Sequence, residues 1–208
     1  MNIGFVGLGI MGRPMALNLI KGGHSLRVNA RRPESMQPLQ AAGAVACASP
    51  ADAAHGVDVI FTMVSDTPDV EQVVLGPGGV VEGAQRGAVV VDMSAISRVA
   101  TRAVASKLAQ AGVEMLDAPV SGGDVGAIGG TLSIMVGGKP EVFARVKPLF
   151  ELMGKNIVHI GANGAGQVAK ACNQIVAAVT LESVSEALTL ARKNGTDPAK
   201  VREALLGG

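Results

Sequence analysis

Three clusters in this chain have the composition and spacing of ligand-binding or reactive groups. They are Gly7-Leu8-Gly9-Ile10-Met11-Gly12 near the amino terminus, Ser121-Gly122-Gly123 in the middle, and Lys170 with Asn173 three residues further on. The first has the spacing G-x-G-x-x-G. Glycines at those places permit a tight turn, let a pyrophosphate approach the backbone and open a helix N-terminus toward its negative charge. Alone the pattern is weak evidence. Here it follows the apolar run 2–6 and precedes a helical pattern through Met15, Leu19 and Ile20 that stops at Gly22-Gly23. Strand, glycine turn and helix together open a βαβ unit and predict dinucleotide binding by residues 7–12.

In NAD-selecting sites an acid about 20 residues further on, at the end of the second strand, holds the ribose hydroxyls. Here that stretch is Val28-Asn29-Ala30-Arg31-Arg32, without an acid. A carboxylate there would repel a 2′-phosphate, whereas Arg31 and Arg32 can pair with one. Asn29, Arg31 and Arg32 are therefore assigned to the cofactor site, with NADP(H) expected ahead of NAD(H). A solvated arginine pair in a loop is the alternative reading.

Ser121-Gly122-Gly123 follows a predicted strand, so it falls at the ligand-binding edge of a sheet, with backbone N–H groups and one hydroxyl able to hold a carboxylate. A plain turn has the same composition. From Gly122 to Gly130 five of nine residues are glycine, which suits either close backbone approach or a mobile loop.

Three motifs in order carry a family resemblance. Phe5-Val6-Gly7-Leu8-Gly9-Ile10-Met11-Gly12-Arg13-Pro14-Met15-Ala16-Leu17-Asn18-Leu19 resembles the amino-terminal signature of the β-hydroxyacid (3-hydroxyisobutyrate) dehydrogenases. Asp117-Ala118-Pro119-Val120-Ser121-Gly122-Gly123 resembles that family's substrate-binding segment, and Gly164-Ala165-Gly166-Gln167-Val168-Ala169-Lys170-Ala171-Cys172-Asn173-Gln174 its catalytic helix. The resemblance runs from Met1 to Gly208. It implies hydride transfer between NAD(P)H and a small carboxylate-bearing aldehyde or alcohol. It also implies that Met63, Val64, Ser65 and Ser94 lie along the nicotinamide half of the cofactor. Within the family, Ile10 and the Asn173-Gln174 pair look most like the tartronate semialdehyde reductase branch, with 3-hydroxyisobutyrate and succinic semialdehyde enzymes as alternatives.

Reduction of an aldehyde builds negative charge on the carbonyl oxygen, so a proton donor must stand beside it. Lys170 is the candidate. A helix lysine taken alone is a solvated surface residue, but the apolar helix around it and the matching motif favour a buried role. Asn173 falls on the same helical face, where its amide can hold the lysine or the substrate; a solvent-facing amide is its plainer reading. Gly166, four residues earlier, keeps that face open. The three histidines have no ligand spacing, so no metal is assigned.

The elements that must position these groups alternate in type. Strand-like runs recur at 2–6, 26–28, 57–64, 88–93, 113–120, 131–136 and 157–160, with helical segments around 97–111 and 140–153. Such alternation predicts parallel pairing, hence an α/β, doubly wound Rossmann-type sheet in a domain over residues 1–162. Residues 163–208 read as the first helices of a helical domain: one long helix over 164–194, then another opening at Asp197-Pro198.

That long helix is apolar on most sides, and in the family the helical domain continues well beyond its equivalent, adding a further lysine near the nicotinamide. Apolar faces left in water favour association, so a homo-oligomer through 164–194 is expected. A non-catalytic dinucleotide-binding module is the rival from another class. The imine reductases of the same superfamily commonly replace the lysine that is kept here as Lys170.

Composition narrows the rest. Eighteen basic against 17 acidic residues give no broad attraction for nucleic acid or an anionic membrane. No apolar run approaches the roughly 20 residues of a membrane span, and the amino terminus lacks the basic start of a signal peptide. Two cysteines without a paired motif point to a reducing, cytoplasmic setting.

Overall fold

The structure is a computed structural model and describes residues 1–207. In chain order the elements begin β1 (Asn2–Val6), α1 (Gly12–Lys21), β2 (Ser25–Asn29), a 3-10 turn (Pro33–Met36), α2 (Gln37–Ala41), β3 (Val45–Ala46), α3 (Pro50–Ala54), β4 (Val59–Thr62), α4 (Thr67–Leu75) and α5 (Val80–Gly83). They continue with β5 (Val89–Asp92), α6 (Arg98–Gln110), β6 (Glu114–Asp117), β7 (Val120–Ser121), α7 (Gly123–Gly129), β8 (Leu132–Gly137), α8 (Pro140–Phe150), β9 (Gly154–Gly161), α9 (Ala165–Lys193) and α10 (Pro198–Leu206).

The strands form one sheet in the order β3-β2-β1-β4-β5-β6-β8-β7, with β9 on the other edge of β8. From β3 to β6 every pairing is parallel. The order reverses beside β1, so the carboxyl ends of β1 and β4 diverge into the crevice where such sheets bind ligands. Parallel pairing is interrupted at β8 and resumes only between β8 and β9. Asp117–Gly137, Val120–Ile134 and Ser121–Ser133 share one antiparallel register, so β6 and β7 together run along β8 in the opposite sense. Here the connecting segment is only the short α7, too short to return the chain for a parallel strand.

Alternation along the central strands explains the burial. Val89 and Val91 on β5, with Val59 and Phe61 on β4, enter one apolar cluster; Val90 and Ile60 enter a second on the opposite face. Both faces are covered by helices, which is why these strands read as unbroken apolar runs. Phe61 stacks on Phe5 at 5.9 Å and meets Phe150 edge-on at 6.3 Å, anchoring α8 to the sheet.

The glycine-rich stretch is an ordered helix, α7. Gly130 closes it in the left-handed conformation at φ 63°. A Cβ at Gly122 or Gly126 would stand 3.2 Å from Leu132 Cδ2. The Ala127 carbonyl accepts from Asn18 Nδ2 at 2.9 Å, linking α7 to α1. Positive φ at Gly122, Gly123 and Gly130 and tight packing on Leu132 at Gly122 and Gly126 account for four of the five glycines, within a helix and not a mobile loop.

The chain divides into two compact units inside α9, the first ending at Lys170. The first turn of α9 stays with the sheet because buried side chains of the sheet unit hold it, as described below. From Ala171 onward Ile175, Val176, Val179, Leu181 and Leu190 are exposed. An 18-residue window of α9 reaches a mean hydropathy of 1.2 with no more than two charged residues, the length and composition of a membrane span. No contiguous apolar run reaches that length; alanines and isolated polar residues interrupt a run yet leave the average high. Lys170, Glu182 and Glu186 lie on this helix, and charges are costly at a bilayer centre.

Candidate active site

A cleft of about 670 Å³ opens at the carboxyl ends of β1, β2 and β4. The Gly7–Gly12 turn, Asn29, Arg31, Arg32, Met63, Val64 and Ser65 all line it, so groups far apart in sequence share one cavity.

The three motif glycines serve different ends. Gly7 has φ 95°, and a Cβ there would collide with the Met63 carbonyl, so the close pass of β1 against the end of β4 demands glycine. At Gly12 a Cβ would strike the Gly7 carbonyl and stand 3.2 Å from Phe5, so helix packing on the strand demands it. Gly9 has a negative φ, and a Cβ there would meet no protein atom within 4 Å. Nothing in the protein explains that glycine. A pyrophosphate lying against the backbone at the N-terminus of α1 does, so the residues present fit a dinucleotide.

Asn29 reaches the cleft, but its side-chain Nδ2 is committed to structure, donating to the Cys47 carbonyl at 3.0 Å, while its backbone carbonyl accepts from Gly7 N at 3.0 Å. Arg31 is largely exposed and stands 3.9 Å from Asp69 on α4, a cleft residue that the strand pattern alone does not reveal. Ser94 does not line the cleft. It is fully buried, and its Oγ accepts from Val64 N at 3.0 Å, so it supports the cleft-lining segment just beyond β4 from beneath.

Ser94 belongs to a buried polar network. Its N–H donates to Asp92 Oδ1 at 3.1 Å, which also accepts from the Thr62 hydroxyl at 2.9 Å and so ties β4 to β5. Complete burial pushes the Asp92 carboxyl up to about 6, against the lowering effect of the Ser94 and Thr62 hydrogen bonds. Its Oδ2 has no partner.

Gln167, 5% exposed, joins this network to α9. Its Nε2 donates to the Ser94 carbonyl at 2.9 Å and its Oε1 accepts from Ile96 N at 3.1 Å. Asp117, at the end of β6, accepts from Gly164 N at 2.7 Å and Gln167 N at 3.1 Å. A carboxylate thus satisfies the free N–H groups at the start of α9. Burial raises the Asp117 carboxyl above its ordinary value, and those backbone donors oppose the rise. Gly166 admits this contact, since a Cβ there would meet the Met135 and Asp117 carbonyls.

Lys170 follows one turn later. It is half-buried, and burial lowers its ammonium below the ordinary lysine value. Ser121, half-buried, and the exposed Gly122 and Gly123 stand at the β7–α7 junction, where Gly122 at φ 132° and Gly123 at φ 62° turn the chain. Neither they nor Lys170 line the dinucleotide cleft. Asn173 is three residues beyond Lys170 on the same helix, in the unit that begins at Ala171; its Oδ1 is buried without a hydrogen-bond partner. Asp69, Asp117 and Gln167 are the functional candidates that periodicity does not mark. For Gln167 one local signal exists, a polar residue in the first turn three positions before the lysine. No cluster of three metal-ligating side chains occurs among the described residues.

Comparison with known proteins agrees with this geometry. The family model for the NAD binding domain of 6-phosphogluconate dehydrogenase matches residues 2–161. The model described as NAD-binding of NADP-dependent 3-hydroxyisobutyrate dehydrogenase matches residues 164–208. The 2-hydroxy-3-oxopropionate reductase of Escherichia coli is 51% identical over 208 residues, all of this chain and 71% of that protein. The 3-hydroxyisobutyrate dehydrogenase of Pseudomonas aeruginosa is 42% identical over 98% of this chain and 68% of its own length. The solved structure of Mycobacterium tuberculosis 3-hydroxyisobutyrate dehydrogenase with L-serine superposes with a TM-score of 0.92 at 36% identity, over 100% of this chain and 70% of that one. A glycine cleft built for a dinucleotide, a lysine helix anchored on the same sheet and these matches along the whole chain lead to one conclusion: the protein belongs to the β-hydroxyacid dehydrogenase family of NAD(P)-dependent enzymes.

Proposed function

We propose that the protein reduces tartronate semialdehyde (2-hydroxy-3-oxopropanoate) to glycerate, reversibly, with NADP(H) favoured over NAD(H). The observation that carries the substrate reading is the 51% identity, over all of this chain, to the Escherichia coli 2-hydroxy-3-oxopropionate reductase. 3-Hydroxyisobutyrate is the second reading, supported by the 42% identity to the Pseudomonas aeruginosa dehydrogenase. Both substrates pair a carboxylate with an oxygen-bearing carbon that changes oxidation state.

In this reading residues 7–12 hold the pyrophosphate, Arg31 and Arg32 meet a 2′-phosphate, and Met63, Val64 and Ser65, braced by Ser94, border the nicotinamide. The bound nicotinamide supplies the hydride. Lys170 gives the proton to the carbonyl oxygen, and its depressed affinity for that proton suits exchange nearer neutral pH. Ser121, Gly122 and Gly123 hold the substrate carboxylate through the hydroxyl and backbone N–H groups, and Asn173 orients the substrate. The protein works in the cytoplasm as a homo-oligomer associated through α9.

The test is loss of reduced-nicotinamide absorbance when the 208-residue chain meets tartronate semialdehyde with NADPH or NADH, beside a Lys170→Ala control. Turnover abolished in the control is expected, with a loss of about 10²–10⁴-fold. Turnover that survives in Lys170→Ala would remove the lysine from the chemistry. Cofactor binding without turnover in the wild type would leave a dinucleotide-binding module.

A further inference from the structure

The end of β2, from which an acid usually selects an unphosphorylated ribose, carries none in this sequence. The fold brings an acid to the cleft from elsewhere. Asp69, in the first turn of α4, lines the same cavity as Arg31 and Arg32, and its Oδ1 stands 3.9 Å from Arg31 Nη1. It is held in place locally. Its backbone N–H donates to the N-cap Asp66 Oδ1 at 3.1 Å, and Pro68 fixes the entry to the helix. The Asp69 side chain is 36% exposed against 87% for Arg31, so the arginine is the freer partner of the two.

We propose that Asp69 is a specificity-determining residue of the cofactor cleft, a counter-charge that occupies Arg31 and moderates the preference for a phosphorylated ribose created by Arg31 and Arg32. The inference rests on dinucleotide binding in this cleft and concerns which dinucleotide is favoured. To pair with Arg31, a 2′-phosphate must displace the Asp69 carboxylate and then lie beside it as a like charge. A ribose with free hydroxyls meets neither penalty, and its hydroxyls can donate to the same carboxylate. An ion pair this exposed acts weakly, so Asp69 tunes the selection by a modest factor and does not impose it.

The test needs no turnover. The 208-residue chain is titrated calorimetrically at low ionic strength with adenosine 2′,5′-bisphosphate and with 5′-AMP, which differ only in the 2′-phosphate. Asp69→Asn keeps the backbone N–H that bonds Asp66, so the start of α4 is retained. The variant is expected to bind the bisphosphate on the order of fivefold more tightly, with 5′-AMP unchanged or weaker. In an Arg31→Ala background that gain shrinks, and added salt reduces it further. An unchanged bisphosphate affinity, an equal change for both nucleotides, or an undiminished gain without Arg31 would each overturn the assignment. A wild-type chain that binds neither nucleotide would instead overturn the dinucleotide reading itself, a separate and recognisable result.

Discussion

The carboxylate of Asp117, at the end of β6, accepts a 3.1 Å hydrogen bond from the backbone N–H of Gln167 and thereby fixes the first turn of α9 to the sheet. Asp117→Asn keeps the shape but turns an N–H2 group toward buried N–H donors. The expected loss is about 2–3 kcal/mol of unfolding free energy, read from the urea midpoint at constant slope. An unchanged midpoint would mean that α9 is held by other contacts.

Asp92 makes stability depend on pH with an unusual sign. Its carboxyl is raised from 3.8 to about 6 in the folded protein, so the native state keeps its proton where the unfolded chain has lost it. Its contribution is full below about pH 4, declines as pH rises toward 6, and is gone above that; the span corresponds to roughly 3 kcal/mol. Thermal unfolding of wild type and Asp92→Asn, compared at steps from pH 4 to 7, isolates this term. The wild type should lose stability relative to the variant across that window, and parallel curves would contradict the raised carboxyl.

Gly7 and Gly9 separate folding from binding. Gly7→Ala forces a side chain into φ 95° and against the Met63 backbone, so the fold should lose about 2 kcal/mol or more. Gly9→Ala meets no protein atom within 4 Å and should leave stability within about 0.5 kcal/mol of wild type. Dinucleotide affinity should nevertheless fall about tenfold or more in Gly9→Ala, by fluorescence titration with NADPH, a cost near 1.4 kcal/mol. Equal binding by Gly9→Ala and wild type would place the pyrophosphate elsewhere.

The exposed Ile175, Val176 and Val179 of α9 make self-association the expected state at micromolar concentration. Light scattering should report a dimer or larger species, and Val179→Glu should shift it toward monomer. A monodisperse wild-type monomer would remove α9 as an interface.

Much of the scaffold is legible in the chain because its signals are local. The apolar runs become β1, β4, β5 and β8, and the G-x-G-x-x-G spacing places the turn between β1 and α1. Short helices are marked by capping chemistry more than by periodicity. Ser49 and Asp52 form a reciprocal capping box at α3, and Asp66-Thr67-Pro68 opens α4, yet each helix is too brief for a strong apolar stripe. The glycine run 122–130 is ambiguous in sequence because glycine permits both mobility and close packing. Only the neighbours Leu132 and Asn18 decide between them.

The sequence by itself therefore determined the main strands and long helices, the glycine turn for a dinucleotide, and a lysine and an asparagine on one helix. These depend on propensities and spacings that act within a turn or two of chain. Tertiary structure decided which distant groups meet: Asp69 with Arg31, Ser94 beneath Val64, and Asp117 with Gln167 fifty residues away. A buried polar group must find its partner wherever packing brings one within about 3 Å, and local sequence carries no record of that pairing.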